Sequence, residues 1–164
     1  RREPFAAELI PEIEKRLVLF YSGQSRNSGI NNWALYKGFI DGEKSVRDRF
    51  AAIVAATHEL AAALHAKDWT AVGKAIHHEW LTRRTLAQNI STPAMDRAFE
   101  VCETQFGGTG KICGAGGGGC FFLYLPDPDP ARRQDLIRQA LQAAGCGVRV
   151  LDLRAVPHGL EVRG

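Results

Sequence analysis

Long apolar runs and closely spaced cysteines are both missing from this 164-residue sequence. No run approaches the roughly 20 apolar residues that a transmembrane helix needs, and no signal peptide opens the chain, so we expect no membrane association. The four cysteines show no C-x-x-C spacing, which argues against a metal site. A chain of this length can form a core without disulfides, and reduced cysteines are typical of the cytoplasm, which is the predicted location.

The chain also lacks a strong excess of positive or negative charge. The formal net charge is +3, and the paired arginines at positions 83–84 and 132–133 are expected on solvated helix faces. An RNA-binding sheet would need exposed aromatic residues and a basic face, whereas the aromatic residues here lie in uniformly apolar runs. We therefore predict no nucleic-acid partner.

Methionine occurs once, at Met95. A sequence that opens with Arg1 is expected to have lost its start, so we interpret the chain as an excised or proteolysed part of a longer protein. Residues 1–164 are predicted to form a single domain, since no internal repeat or low-complexity linker divides them.

Glycine, in contrast, is concentrated in residues 110–125, GKICGAGGGGCFFLYL. The pattern predicts a strand, a glycine loop and a second strand, antiparallel and adjacent. Glycine loses much backbone freedom on folding, so such a run indicates a place where something must approach the main chain or where positive φ is required. Successive N–H groups could converge on a phosphate, or the glycines could allow tight packing of a neighbouring element. Both interpretations stay open on the residues alone.

Two nucleotide-binding motifs are excluded. Gly114, Gly116 and Gly119 fit G-x-G-x-x-G, but the dinucleotide fingerprint requires a following helix, and a strand is predicted here. A P-loop would need Ser or Thr where Ile112 stands, and Gly where Gln105 stands.

The remaining pattern predicts an α+β domain. Residues 17–21, LVLFY, read as a strand buried on both faces, after a Pro-punctuated lead with little periodicity. Helices are expected at 32–40 and, as three apolar stripes of the core, between 45 and 106. After the glycine loop come a helix over 132–144 and strands near 148–153 and 160–162. The predicted fold is a ferredoxin-like antiparallel sheet covered by helices, with extra helices inserted after the first strand.

Several polar residues have two possible roles. Arg26, in a loop that leaves a buried strand, could hold a phosphate or carboxylate, or could be a solvent-exposed turn residue. Ser28 or Asn31 can cap the following helix, and Ser91 or Thr92 can cap the helix at Pro93, which leaves their ligand roles open.

The tripeptide His77-His78-Glu79 invites a metal interpretation. The zinc-protease pattern needs a second His three residues after the Glu, where Thr82 stands, so we expect a surface histidine pair.

The run GKICGAGGGGC resembles the third motif of the GHMP kinase superfamily, a basic residue followed by a Gly-Ala-Gly-x-Gly-Gly loop. Three further segments, EKRLVLFYSGQSRNSGINNW, IDG and STPAMD, occur in the same order as in the C-terminal half of the heptose 7-phosphate kinases. The resemblance extends from about Pro4 to Val162.

This resemblance implies ATP-dependent phosphoryl transfer to a sugar phosphate, at its anomeric hydroxyl, in a cleft between two domains. ATP and Mg²⁺ would be bound mainly by an N-terminal GHMP kinase domain, which also supplies the catalytic acid, so no catalytic residue and no metal ligand is assigned here. The chain alone is expected to be inactive. The nucleotide-phosphate or substrate-facing loop would comprise Lys111, Gly114, Ala115, Gly116, Gly117, Gly118 and Gly119. Candidate sugar-phosphate contacts by the same carry-over are Arg26, Ser28 and Thr92.

The chain departs from the family at Cys113, where many members carry Thr or Ser, so a hydroxyl contact from that position is in question. Alternatives to the heptose kinase are the same domain of a galactokinase-like or mevalonate-type kinase, or a non-catalytic ferredoxin-like module that binds a small molecule or has a regulatory role. A homodimer is possible.

Overall fold

The computed structural model describes residues 8–25 and 29–156. Six helices and four strands follow one another in this part of the chain. Their order is α1 (Leu9–Arg16), β1 (Leu17–Tyr21), α2 (Gly29–Ile40), α3 (Lys44–His65), α4 (Trp69–Arg83), α5 (Pro93–Phe106), β2 (Thr109–Ile112), β3 (Cys120–Tyr124), α6 (Pro130–Ala144) and β4 (Arg149–Leu151).

The four strands form one antiparallel sheet in the order β2-β3-β1-β4. With α6 connecting β3 to β4, and the helices α2 to α5 inserted between β1 and β2, this is the predicted ferredoxin-like α+β arrangement with extra helices after the first strand. The predicted fold class is confirmed.

One side of the sheet, here called the packed face, is closed by α5 and α6. Strand register aligns Ile112, Phe121 and Phe20 across three strands, and Leu123 lies opposite Val18. All five side chains are at most 1% exposed. They pack against apolar residues of the two helices, among them Phe99, Cys102, Leu136 and Ala140. This face holds the main core of the domain.

The other side is here called the open face. Its residues alternate along the strands with those of the packed face. It carries Leu17, Lys111, Phe122 and Tyr124, and it is covered by α4 and, farther away, by α3. Tyr124 is buried beneath α4, where Gly73 leaves room for its ring. Its hydroxyl donates a hydrogen bond to the carbonyl of Trp69 at 2.8 Å. Away from Tyr124 the cover is incomplete, and a cavity remains between α3, α4 and the sheet.

Three expectations about the elements need correction. The Pro-punctuated lead contains α1, because Pro11 falls in the first helical turn, where its missing N–H is not needed. The helix predicted from residue 32 begins at Gly29, so Asn31 lies inside it and is not its cap. The apolar stripe of α3 is not core throughout, since Val54 is 55% exposed.

Two strand predictions have mixed outcomes. Strand β1 has the predicted bounds, but its open-face residues are only half-buried, so it is not buried on both faces. The strand predicted near residues 148–153 is present as β4, whereas the one at 160–162 lies outside the described residues.

Candidate functional site

The glycine loop joins β2 to β3 as predicted, and the two strands pair antiparallel from Thr109 opposite Tyr124 to Ile112 opposite Phe121. Beyond the last pair, the N–H of Cys113 donates to the carbonyl of Cys120 at 2.9 Å. The hairpin ladder therefore continues to the base of the loop, which fixes where residues 114–119 begin and end.

Left-handed backbone geometry explains why this loop is made of glycine. Five of its six residues have positive φ, a region that side chains with a Cβ rarely adopt. They are Gly114 (76°), Gly116 (80°), Gly117 (77°), Gly118 (125°) and Gly119 (79°). Of the two reasons offered for a glycine run, the need for positive φ applies to the four consecutive residues 116–119.

Two neighbouring segments hold the second half of the loop. The N–H of Gly117 donates to the carbonyl of Ile90 at 2.8 Å, and that of Gly119 donates to the carbonyl of Gln24 at 2.9 Å. A Cβ on Gly116 would lie 2.3 Å from the Ile90 oxygen, and one on Gly118 would lie 3.0 Å from the Gln24 oxygen. The packing interpretation therefore accounts for residues 116–119.

The first half of the loop is more open. Gly114 is exposed and Ala115 is half-buried. Within the described residues, the N–H groups of Gly114, Ala115 and Gly116 have no hydrogen-bond acceptor. The φ angle is positive at Gly114 and Gly116 but not at Ala115, and such alternation is typical of backbone nests that bind anions. This half fits the phosphate-facing interpretation.

Lys111 does not point toward the glycine loop. Its side chain lies on the open face of the sheet, where its ammonium group forms an ion pair with Glu79 of α4. Glu79 also accepts a hydrogen bond from Arg83 Nε at 2.6 Å. Burial opposes ionisation of Glu79, but the hydrogen bonds from Arg83 and Lys111 outweigh it, and the pKa of the carboxyl is lowered. Lys111 thus belongs to an ion-pair cluster beside the loop rather than to the loop itself.

Thr92 caps α5. Its hydroxyl oxygen accepts a hydrogen bond from the N–H of Met95 at 3.3 Å, and Pro93 begins the helix. The residue is buried, at 7% exposed. The capping interpretation accounts for its hydroxyl, while a ligand role for Thr92 stays a prediction.

Arg26 and Ser28 lie outside the described residues. The residues just before them contact the glycine loop. The carbonyl of Gln24 accepts a hydrogen bond from the N–H of Gly119, and the backbone of Ser25 lies beside Gly118. The sugar-phosphate role of Arg26 and Ser28 stays a prediction.

Sequence reasoning missed the importance of the segment between α4 and α5. Residues 84–91, with Pro93 and Asp96, line a polar cavity of about 620 Å³. Asn89 has a positive φ of 59°, a conformation that asparagine tolerates better than most residues, and Ile90 next to it holds Gly117. The Asn-Ile-Ser sequence itself was the available signal, because Asn ahead of a capped helix is typical of a tight turn.

The histidine pair lies at the surface as predicted. His78 pairs with Glu59 at 3.0 Å and His77 contacts Thr109 at 3.2 Å. Among the residues that the structure describes, no group of three or more His, Cys, Asp or Glu side chains could hold a metal ion. Over the same ranges, each helix is too short or too polar to cross a membrane.

Comparison with known families identifies the domain. The model of the GHMP kinase C-terminal family matches residues 60–145, more than half of the chain, and this range includes the glycine loop. The chain belongs to the GHMP kinase family. A curated relative, the D-glycero-alpha-D-manno-heptose 7-phosphate kinase of Campylobacter jejuni, is 24% identical over 135 residues.

Solved structures of GHMP kinases share the fold. The phosphomevalonate kinase of Streptococcus pneumoniae, solved with phosphomevalonate and AMPPNP, has a TM-score of 0.68 at 15% identity over 85% of this chain. The galactokinase of Lactococcus lactis has a TM-score of 0.60 at 15% identity over 83%. A putative sugar kinase from Campylobacter jejuni covers 97% of this chain with a TM-score of 0.58 at 18% identity.

The chain spans about two fifths of these proteins: 38% of the heptose kinase, 39% of the phosphomevalonate kinase, 44% of the galactokinase and 42% of the putative sugar kinase. The comparisons establish family membership and fold for this part of the protein.

Proposed function

We propose that this chain is the substrate-side, C-terminal domain of an ATP-dependent kinase that phosphorylates a sugar phosphate such as heptose 7-phosphate at its anomeric hydroxyl. The observation that carries the proposal is in the glycine loop, where three consecutive amides, those of the exposed Gly114, the half-buried Ala115 and the buried Gly116, have no acceptor among the described residues. The name of the Campylobacter jejuni relative supports the choice of sugar phosphate.

The chemistry of these amides fits a phosphoryl group. Main-chain N–H groups are neutral donors that stay in place, so they stabilise negative charge on transferring oxygens without reorganising during the reaction. In phosphoryl transfer that charge is spread over the equatorial oxygens, and catalysis consists largely of positioning and electrostatic stabilisation. The other half of the loop is held by hydrogen bonds to the carbonyls of Ile90 and Gln24, which supports a fixed position for these amides.

Mg²⁺ and most of the ATP contacts belong, in this proposal, to an N-terminal GHMP kinase domain. The proposal assigns no metal ligand to the present chain, and the residues that the structure describes contain no group of three or more His, Cys, Asp or Glu side chains that could hold a metal ion. Its own contribution is limited to amides near the phosphates and to polar groups near the sugar. The isolated domain should therefore have no kinase activity.

The test is ATP-dependent phosphate transfer by the complete protein, with heptose 7-phosphate, galactose and phosphomevalonate as competing acceptors. We expect transfer to the heptose phosphate, and a product that no longer reduces alkaline copper because its anomeric centre is blocked. Preference for galactose or phosphomevalonate would replace the sugar-phosphate assignment while keeping the kinase. Full activity of the 164-residue chain alone would contradict the division of roles between two domains.

A pair of glycine substitutions tests the loop. Gly117 and Gly107 both have left-handed backbones, but Gly107 lies at the end of α5 and a Cβ there would meet nothing within 4 Å. Gly117→Ala should lower kcat at least tenfold, because even small displacements of positioning groups are costly. Gly107→Ala is the control, with a similar backbone penalty and unchanged kcat. Equal activity of the two variants would favour a purely structural loop.

A further inference from the structure

The cavity on the open face is separate from the glycine loop. Its volume is about 390 Å³, within the range typical of small-molecule sites. Its walls come from the open face of the sheet, α3, α4 and one residue of α1, and they are almost entirely apolar. They include Leu60, Leu64, Val72, Ile76, Phe122 and Tyr124.

Charge is confined to one end of this cavity, where Glu79, Arg83 and Lys111 meet. Both carboxylate oxygens of Glu79 are occupied, Oε1 by Arg83 and Oε2 by Lys111. Two cations therefore share one anion. The polar end has a net positive charge.

Both cations also have donors to spare. Lys111 has three N–H groups, and within the described residues Glu79 is the one acceptor they meet. Arg83 turns Nε and Nη2 toward Glu79, and its Nη1 has no acceptor in that part of the chain. The side chains of Lys111 and Arg83 are 22% and 29% exposed, so they can be reached from the cavity while being partly desolvated.

We propose that this cavity binds an amphipathic carboxylate, with its aliphatic tail among the apolar walls and its head group on Arg83 and Lys111. A carboxylate can accept hydrogen bonds from the spare Nη1 of Arg83 and from the ammonium group of Lys111, and one negative charge balances the excess. At about 30 Å³ per heavy atom, the share of a water molecule in the liquid, the cavity holds roughly a dozen atoms. This inference does not depend on the kinase reaction, because no loop amide takes part in it.

Decanoate, with its ten carbons and two oxygens, is the probe. We would titrate it by calorimetry into the 164-residue chain below its micelle concentration, with decanol and decylamine as probes of similar length. Saturable binding of one decanoate, at least tenfold tighter than either of the others, is the expected result. Unsaturable uptake, or equal affinity for all three, would overturn the proposal.

Two variant pairs locate the site. Thr57→Trp puts a large ring at the cavity wall and should weaken decanoate binding at least tenfold. The control is Val54→Trp, because Val54 is exposed on the same helix outside the cavity, and this change should leave decanoate binding as it is. Arg83→Gln should reduce the affinity for decanoate to that for decanol. The neighbouring control, Arg84→Gln, should bind decanoate as tightly as the unsubstituted chain.

If circular dichroism shows that Thr57→Trp does not fold, the comparison of Arg83→Gln with Arg84→Gln tests the proposal without it. Equal affinities of Arg83→Gln and Arg84→Gln would show that the head group does not bind at this end, and the proposal would be wrong.

Discussion

The packed face and the open face are built from alternate residues of the same strands, yet they differ in how fully they are covered. On the packed face, Phe20 and Phe121 stack with ring centroids 5.1 Å apart, and Phe99 meets Phe121 edge-on at 5.5 Å. On the open face, Phe122 is half-buried and lines the cavity. Apolar character alone therefore does not determine which face of a sheet becomes a close-packed core.

The covering helices account for the difference. On the packed face, α5 brings Phe99 against Phe121 and places Met95 in the same buried cluster, and both residues are at most 4% exposed. On the open face, α3 packs mainly on α4, and the residues it buries most fully near the cavity are the small Ala56 and Ala63. A close-packed interior contributes stability, whereas an incompletely filled one leaves room for a ligand.

The largest expected effect comes from Phe121→Ala. Deleting a ring that is 0% exposed leaves a cavity, and we expect a loss of about 3–5 kcal/mol in the free energy of unfolding. The matched change Phe122→Ala removes the same ring from the open face and should cost only about 1–2 kcal/mol, because that ring is half-buried and borders empty space. Urea denaturation of both variants measures the contrast. Similar losses would mean that the two faces are equally packed.

Glu79→Gln tests the charged end of the open face. Removing the carboxylate leaves Arg83 and Lys111 without their shared partner, and we expect a loss of about 1–3 kcal/mol at neutral pH. The control is Glu100→Gln, an exposed carboxylate without an ion pair in the described chain, which should change stability by less than about 0.5 kcal/mol.

The same variant predicts a pH dependence. The pKa of Glu79 is lowered from an ordinary value of 4.5, so its stabilising contribution is present above pH 4.5 and is lost as the pH falls through the lower pKa of the folded state. The stability difference between the unsubstituted chain and Glu79→Gln should therefore be constant near neutrality and shrink below pH 4.5. Urea denaturation at a series of pH values measures it, and a difference that grows on acidification would contradict this assignment.

Much of the fold could be predicted from the sequence, because its main signals are local. Strand β1, the hairpin β2–β3 and the start of α5 follow from apolar runs, glycine and a Thr-Pro cap. The cavity could not be predicted, since it depends on how closely α3 approaches the sheet. A helical stripe such as that of α3 looks the same whether it faces a filled core or an empty groove.

The candidate site was only partly predictable for a similar reason. The glycine loop was identifiable because positive φ selects glycine directly. The position of Lys111 was not, because its direction follows from the strand register that places it beside Phe122 on the open face. Nor was the contact of Ile90 with Gly117, which joins segments far apart in sequence through backbone atoms alone.

The smallest expected effect concerns Thr92, at the start of the helix that closes the packed face. Thr92→Ala removes the acceptor for the Met95 N–H and should cost about 1 kcal/mol, whereas Thr92→Ser keeps the oxygen and should cost less. Hydrogen exchange in the first turn of α5, followed together with urea denaturation, locates the loss. If Thr92 served only a ligand, both variants would be equally stable and the first turn would exchange as before. A stability loss confined to Thr92→Ala would instead assign the hydroxyl to the packed face, and any sugar-phosphate contact from this position would have to share that oxygen.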